Sequence, residues 1–436
     1  MRTASRVAWT LGATLATTPA FAQVPKIDPG DTAWMIAATS LVLMMTIPGL
    51  ALFYAGMVRK KNVLATMAQS VAAAALVSIL WAVLGYTLAF SGDAPMLGNL
   101  DRVLLHGIGI DSISPLAKTI PESLFMSYQM TFAIITVALV SGAVADRMRF
   151  SAFLLFSILW LFIVYVPLAH WVWGGGFLQT LGLLDFAGGT VVHINAGIAG
   201  LVAALVLGKR RGYGTENLAP YDLSMAVIGT GQLWVGWFGF NGGSALGAGS
   251  RASMAIVATH LAASAGALTW MVLEWYARRK PSVLGIISGA VAGLGTITPA
   301  SGYVLPWHGI VIGIAAGAGC YWACTKLKLW LGYDDSLDVF GVHGVGGVMG
   351  TMLTGVFAVA AISVGPDSPK GFAGLIDGNP GQVLVQLIGV AVTLGWSGCW
   401  TFLILKFANT VTALRVGPEA EQMGLDVTLH GESIHS

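Results

Sequence analysis

The sequence predicts an all-α polytopic membrane protein: eleven transmembrane helices, built as a 5+5 inverted repeat plus one, with the N-terminus outside and the C-terminus inside. Three observations predict it. Of 436 residues, 56% are hydrophobic and only 10% are charged, at a mean hydropathy of +0.77, where soluble domains carry roughly 25% charged residues. Apolar runs of about 20 residues, the length a bilayer requires, recur along the chain. One polar arrangement occurs twice, in "DFAGGTVVHIN" (185–195) and "DSLDVFGVHGV" (335–345), with seven residues between Asp and His each time.

The elements follow in order. Residues 1–22 carry Arg2 and Arg6, a short apolar segment and the ending Ala20-Phe21-Ala22, the pattern of a cleaved signal peptide. Spans are then centred near residues 44, 76, 132, 162, 198, 234, 264, 291, 316, 350 and 395. They divide into a first five-helix repeat (31–208), a short basic cytoplasmic linker (209–221), a second five-helix repeat (222–362), an eleventh helix (381–409) and a polar cytoplasmic tail (410–436). Assigning Lys and Arg to alternate sides is lopsided. Arg59, Lys60, Lys61, Arg147, Lys209, Arg278, Lys406 and Arg415 fall with others on one side, whereas the other has Arg102, Lys118, Arg251 and Lys370. The positive-inside rule puts the crowded side in the cytoplasm, in agreement with a cleaved signal peptide. An odd number of helices per half turns the halves upside down relative to each other, and such repeats place a substrate path at their interface.

Other classes are excluded early. A net charge of +2 offers no basic surface for nucleic acid, and a soluble fold would need more polar surface to cover its core. Cys320, Cys324 and Cys399 all lie in apolar runs and read as small buried fillers, neither a disulfide framework nor a zinc site. No metal and no other cofactor is expected.

The polar residues within the spans carry the chemistry. His193 and His343 hold equivalent places in the two halves, and a matched pair of intramembrane imidazoles points to a shared pore, where neutral rings can both donate and accept. His170 and His260 read as structural, and His106, His308, His430 and His435 as loop or tail residues. Acidic residues are scarce at the span centres, which argues against a stripped metal cation as cargo. Phe132 closes "YQMTF", Phe240 and Ser244 lie in "WFGFNGGS", and Trp173 lies in "HWVWGGG". Aromatic faces beside a hydroxyl suit a monovalent cation that donates hydrogen bonds. Asp185 reads as a helix cap, with Asp335 as its repeat mate.

Taken together and in order, "LFYAGMVRKKN", "YQMTF", "GAVADRMRFSAF", "HWVWGGG", "LDFAGGTVVHINAG", "WVGWFGFNGGSA", "DVFGVHGVGG" and "GLDVTLHGE" make the chain resemble the ammonium transporter family, relatives of the Rh proteins, from about residue 31 to 430. The resemblance implies a homotrimer in the cell (inner or plasma) membrane with a separate pore in each subunit, a transporter and not an enzyme. It implies that Phe132, Trp173 and Ser244 recruit ammonium, that Phe132 and Phe240 form a gate, and that His193 and His343 line the pore beyond it. It further implies that Asp185 gives structural and electrostatic support. Gly424, Leu425 and Asp426 match a regulatory tail that contributes to docking a PII-type signalling protein. The expected activity is recruitment of NH4+, deprotonation, and passage of NH3 with net charge movement. The rivals are a passive Rh-like channel for NH3 or CO2, a membrane haem protein with two axial histidines, and an ammonium sensor.

Overall fold

The computed structural model describes residues 25–364 and 368–434; the expected signal peptide (1–22) and His435 lie outside the described residues. In chain order the helices are α1 (Pro29–Met57), α2 (Lys60–Phe90), α3 (Glu122–Val144), α4 (Phe150–Leu181), α5 (Gly189–Leu207), α6 (Leu223–Trp237), α7 (Ser250–Arg278), α8 (Val283–Ile297), α9 (Pro306–Leu331), α10 (Phe340–Phe357) and α11 (Gly381–Val411). Every span centre expected from the sequence falls within a helix or its direct continuation. Among the described residues, nine of these are long and apolar enough to cross a membrane. Of the other two, α6 runs on through a π turn, Phe238–Gly242, and so reaches the length expected of a span, whereas α8 has 15 residues, fewer than the sequence predicts.

Helix starts are fixed by side-chain caps, which satisfy N–H groups that have no partner within the helix. Asp28 accepts from Asp31 N before α1 (2.9 Å), Asp222 from Ser224 N and Met225 N before α6 (2.9 and 3.1 Å), and Ser282 from Gly285 N before α8 (2.9 Å). The core runs along α3 and α5. Almost every residue of α3 is buried, and α5 buries Asn195, Ala196, Gly197 and Ala199 among others. Helices α7, α8 and α9 pack on one another through glycine and alanine, the close backbone approach that small residues permit. A two-stranded antiparallel hairpin, β1 (Ile113–Ser114) and β2 (Ala117–Pro121), precedes α3.

Charge is segregated to two ends. At one, Arg102 pairs with Glu122 (3.0 Å). At the other, Arg210 forks onto Asp334 (2.8 Å) and reaches Asp146 (3.4 Å), while the fully buried Arg147 donates to the Asp334 carbonyl and the Ser336 hydroxyl, both at 2.6 Å. The tail docks at this second end. Arg415 forks onto the buried Glu421, whose Oε1 also accepts from Arg211 N at 2.6 Å. Main-chain bonds join Arg149 N to Leu414 O and Val416 N to Arg147 O.

Two expectations about single residues need correction. The cysteines are not all buried fillers: Cys320 is, but Cys324 is only partly buried and Cys399 is exposed. His308 is not in a loop; it is the third residue of α9 and is buried. The helix that carries His193 begins at Gly189, after a turn that the Asp185 carboxylate holds.

Candidate functional site

The site is built around two helix starts that mirror each other. Asp185 is buried, and its carboxylate accepts from the N–H groups of Gly188, Gly189 and Thr190, each at 2.7 Å, and from the Thr190 hydroxyl. This concentrates anionic acceptors where the α5 backbone presents free donors. Asp335 does the same for α10, accepting from Phe340 N at 2.7 Å. Each start runs through a π turn, Gly189–Ile194 in α5 and Phe340–Gly344 in α10, and each turn carries its histidine near its end. Just beyond its turn, α5 crosses the α10 turn on bare backbone. A Cβ on Gly197 would overlap the N and Cα of Gly344, so nothing larger than glycine allows this approach.

The histidines therefore meet. Their Nδ1 atoms are 3.2 Å apart, and the rings lie nearly parallel at 12° with centroids 5.3 Å apart. The Thr298 hydroxyl donates to Leu294 O (2.8 Å) and accepts from Trp237 Nε1 (2.9 Å), leaving a lone pair for an N–H at His193 Nε2 (3.3 Å). This network assigns the tautomers: neutral His193 accepts at Nδ1, His343 donates from Nδ1, and His343 Nε2 is left as a free acceptor. Direct contact between the two Nδ1 atoms leaves no room for a porphyrin iron between the rings, so the residues do not fit a haem.

Phe132 and Phe240 stack next to this pair, 4.1 Å between centroids at 23°. Trp173 stands edge-on to Phe132 at 5.7 Å, and its indole N–H donates to the main-chain oxygen of Asp185 (2.9 Å). Asp185 thus caps a helix with its carboxylate and orients the tryptophan with its carbonyl. Ser244 donates to Phe240 O (2.9 Å), which leaves its oxygen as an acceptor, and Tyr128 OH lies 3.3 Å from it.

The cavities follow this order. A cavity of about 300 Å³ at the Trp173 end is lined by Phe132, Trp173, Ser244, Gln129, Asp185 and Arg251 among others. A second of about 300 Å³ at the tail end reaches His343 past Phe53, Trp270, Glu274 and Asp338. Between them lies a space of only about 10 Å³, lined by His193, His343, Trp237, Phe240 and aliphatic side chains such as Leu50 and Ile135. The stacked phenylalanines separate it from the Trp173-end cavity.

The profile described as Ammonium Transporter Family matches residues 33–434. The chain belongs to the ammonium transporter family. It is 49% identical over 407 residues to an ammonium transporter of Bacillus subtilis, covering 93% of this chain and 98% of that one. It is 49% identical over 418 residues to one of Aquifex aeolicus, covering 96% of both. Among solved structures, Mep2 of Saccharomyces cerevisiae superposes with a TM-score of 0.83 at 38% identity, over 90% of this chain and 88% of that one. A structure described as a sensor Amt protein does so with 0.83 at 28% identity, over 92% and 98%. The family is one of membrane transporters, not enzymes.

The structure brings Phe132, Trp173, Ser244, Phe240, His193, His343 and Asp185 into one line. Gly424, Leu425 and Asp426 lie elsewhere, where the tail meets the start of α2. Asp426 accepts from Leu64 N and Ala65 N (3.1 and 2.8 Å), Leu425 N donates to Asn62 Oδ1 (2.8 Å), and Gly424, at φ +114°, lies against Lys61. His170 bonds the carbonyls of Ala89 and Ala94, a structural role as expected. Sequence reasoning missed Tyr128, Trp237 and Thr298. Tyr128 and Trp237 stood inside quoted motifs, four residues before Phe132 and three before Phe240, one helical turn away. Thr298 gave no signal.

Proposed function

We propose that this chain is an ammonium transporter that recruits NH4+ between Phe132, Trp173 and Ser244, deprotonates it between that site and the Phe132/Phe240 gate, and passes NH3 along His193 and His343 while the released proton crosses separately, so that net charge moves. The observation that carries this is the sequence of spaces: a roomy polar mouth, a stacked aromatic pair, then a space of about 10 Å³ with two imidazoles as its polar groups. Potassium and ammonium have the same charge and similar size, so cation-π attraction alone does not separate them. A permanent cation would lose its water in the narrow segment and find too few oxygen ligands, a large desolvation cost. Ammonia crosses neutral, donating a hydrogen bond to the free His343 Nε2. A cation site at the mouth has no purpose for a channel of neutral gas, which favours this reading over passive NH3 or CO2 conduction.

The same reading includes eleven spans in a cell membrane, the N-terminus outside and the tail in the cytoplasm, with repeats at 31–208 and 222–362 joined by the linker 209–221, followed by the helix 381–409 and the tail 410–436. It includes a homotrimer with one pathway per subunit and a PII-type partner at the docked tail around Gly424, Leu425 and Asp426. Its support is the family membership, together with the collection of Arg59, Arg147, Arg210 and Arg415 at the tail end. A reporting role alongside transport is favoured by the likeness to a sensor Amt protein.

The test is the current from proteoliposomes on a solid-supported membrane after an ammonium jump, with a potassium jump as control. A sustained ammonium current that His193→Ala abolishes or makes potassium-permeable is the expected result. Internal pH changes driven by ammonia without any current would overturn charge movement and leave a passive channel.

A further inference from the structure

The mouth that collects a cation in this reading also holds a fixed cation. Arg251 is the second residue of α7, where the positive end of the helix dipole disfavours it, and it lines the same cavity as Phe132, Trp173 and Ser244. Its guanidinium lies over the rings of Phe186 (4.9 Å) and Tyr303 (5.0 Å), and its Nε donates to Gly302 O (2.9 Å). The holder is specifically shaped, since a Cβ on Gly302 would run into the Phe186 ring. Only glycine there lets Phe186 slide under the arginine.

The nearby carboxylates are occupied elsewhere. Asp185 is saturated by the start of α5, and Asp31, which shares a neighbouring surface hollow with Arg251, accepts from Ala248 N (2.7 Å). No ion pair to Arg251 is present among the described residues. Its charge is held over the cavity by the aromatic rings and the Gly302 carbonyl, with no carboxylate in direct contact.

We propose that Arg251 sets the affinity of the mouth: its charge repels the entering ammonium ion and raises KM, so that the transporter works at higher ammonium concentrations than its aromatic and hydroxyl site alone would dictate. Arg251 is a positioning residue that acts on the cation through the field and does not touch it. This rests on the transporter reading of the same site. At the separations within one hydrated cavity, a unit charge changes cation affinity about two- to five-fold.

The experiment measures ammonium currents from proteoliposomes against concentration for the native protein, Arg251→Gln, Arg251→Met, Arg251→Lys and Arg251→Glu. Each is measured at about 10 mM and about 300 mM ionic strength set with sodium gluconate, which shortens the screening length from about 30 Å to under about 8 Å. Arg251→Gln lowers KM about three-fold at low salt, the middle of the range expected for one unit charge. Arg251→Glu lowers it further, and Arg251→Lys stays with the native protein. The difference between native and Arg251→Gln closes at high salt. Arg251→Met, which keeps the aliphatic stem over Phe186 and Tyr303, repeats the effect and serves if the glutamine variant does not insert. Equal KM values for native and both neutral variants, or a difference that salt leaves unchanged, would overturn the inference alone. A native protein with no ammonium current overturns the transporter reading and this inference with it.

Discussion

A histidine buried between membrane helices needs partners for both ring nitrogens, because an unmatched polar group there costs more than in water. Thr298 supplies one for His193 and holds Trp237 against it, the indole and imidazole nearly parallel at 16°. Thr298→Val keeps the shape and removes the acceptor, orphaning two buried N–H groups at about 1–3 kcal/mol each. We expect a clear drop in the detergent-solubilised Tm together with a reduced ammonium current, and near-native values for Thr298→Ser. A Thr298→Val protein with native Tm would show that the hydroxyl does not hold the ring.

At the scale of elements, the site depends on how closely α5 and α10 cross. Gly197→Ala forces a methyl into the Gly344 backbone, and overpacking of this kind costs about 1–3 kcal/mol. It should lower Tm and the ammonium current together, because the two histidines sit on the displaced turns; an unchanged current would mean that the crossing tolerates separation. The tail is a different case. Asp426 reaches across more than 360 residues of sequence to cap the start of α2, so Asp426→Ala removes about 1 kcal/mol of capping. The expected sign is faster tryptic cleavage near Arg415 with the membrane helices left intact, and an unchanged cleavage rate would show that Glu421 and Arg415 hold the tail without it.

For the whole molecule, the buried polar groups at the tail end tie stability to pH. Burial raises the Asp335 carboxyl to about 6, against a partial counter-effect from Lys328. The folded protein therefore binds more protons than the unfolded chain between the ordinary carboxyl value and about 6. Stability is greatest below that window and falls as pH rises through it, at a slope of no more than about 1.4 kcal/mol per pH unit. Tm should decline from about pH 4 to about pH 6 and then level off, and Asp335→Asn should flatten that decline. At the same scale, purified protein should show no haem Soret absorption, since the paired imidazoles bond each other.

The amino-acid order alone determined the membrane class, the positions of the spans and the duplicated Asp/His arrangement, because hydropathy and local caps act over a few turns of chain. It also marked the aromatic and hydroxyl residues, through motifs specific enough to bring the family into view. It overestimated α8, whose Gly-rich helix can be short because neighbours cover it, and it judged His308 and Cys399 wrongly, because burial depends on what packs alongside. Only the tertiary structure decided that Thr298 and Trp237 serve His193, that Asp426 caps a helix near the other terminus, and that Arg251 overlooks the mouth. Each joins segments far apart in sequence, and distance along the chain carries no trace of a contact made across it.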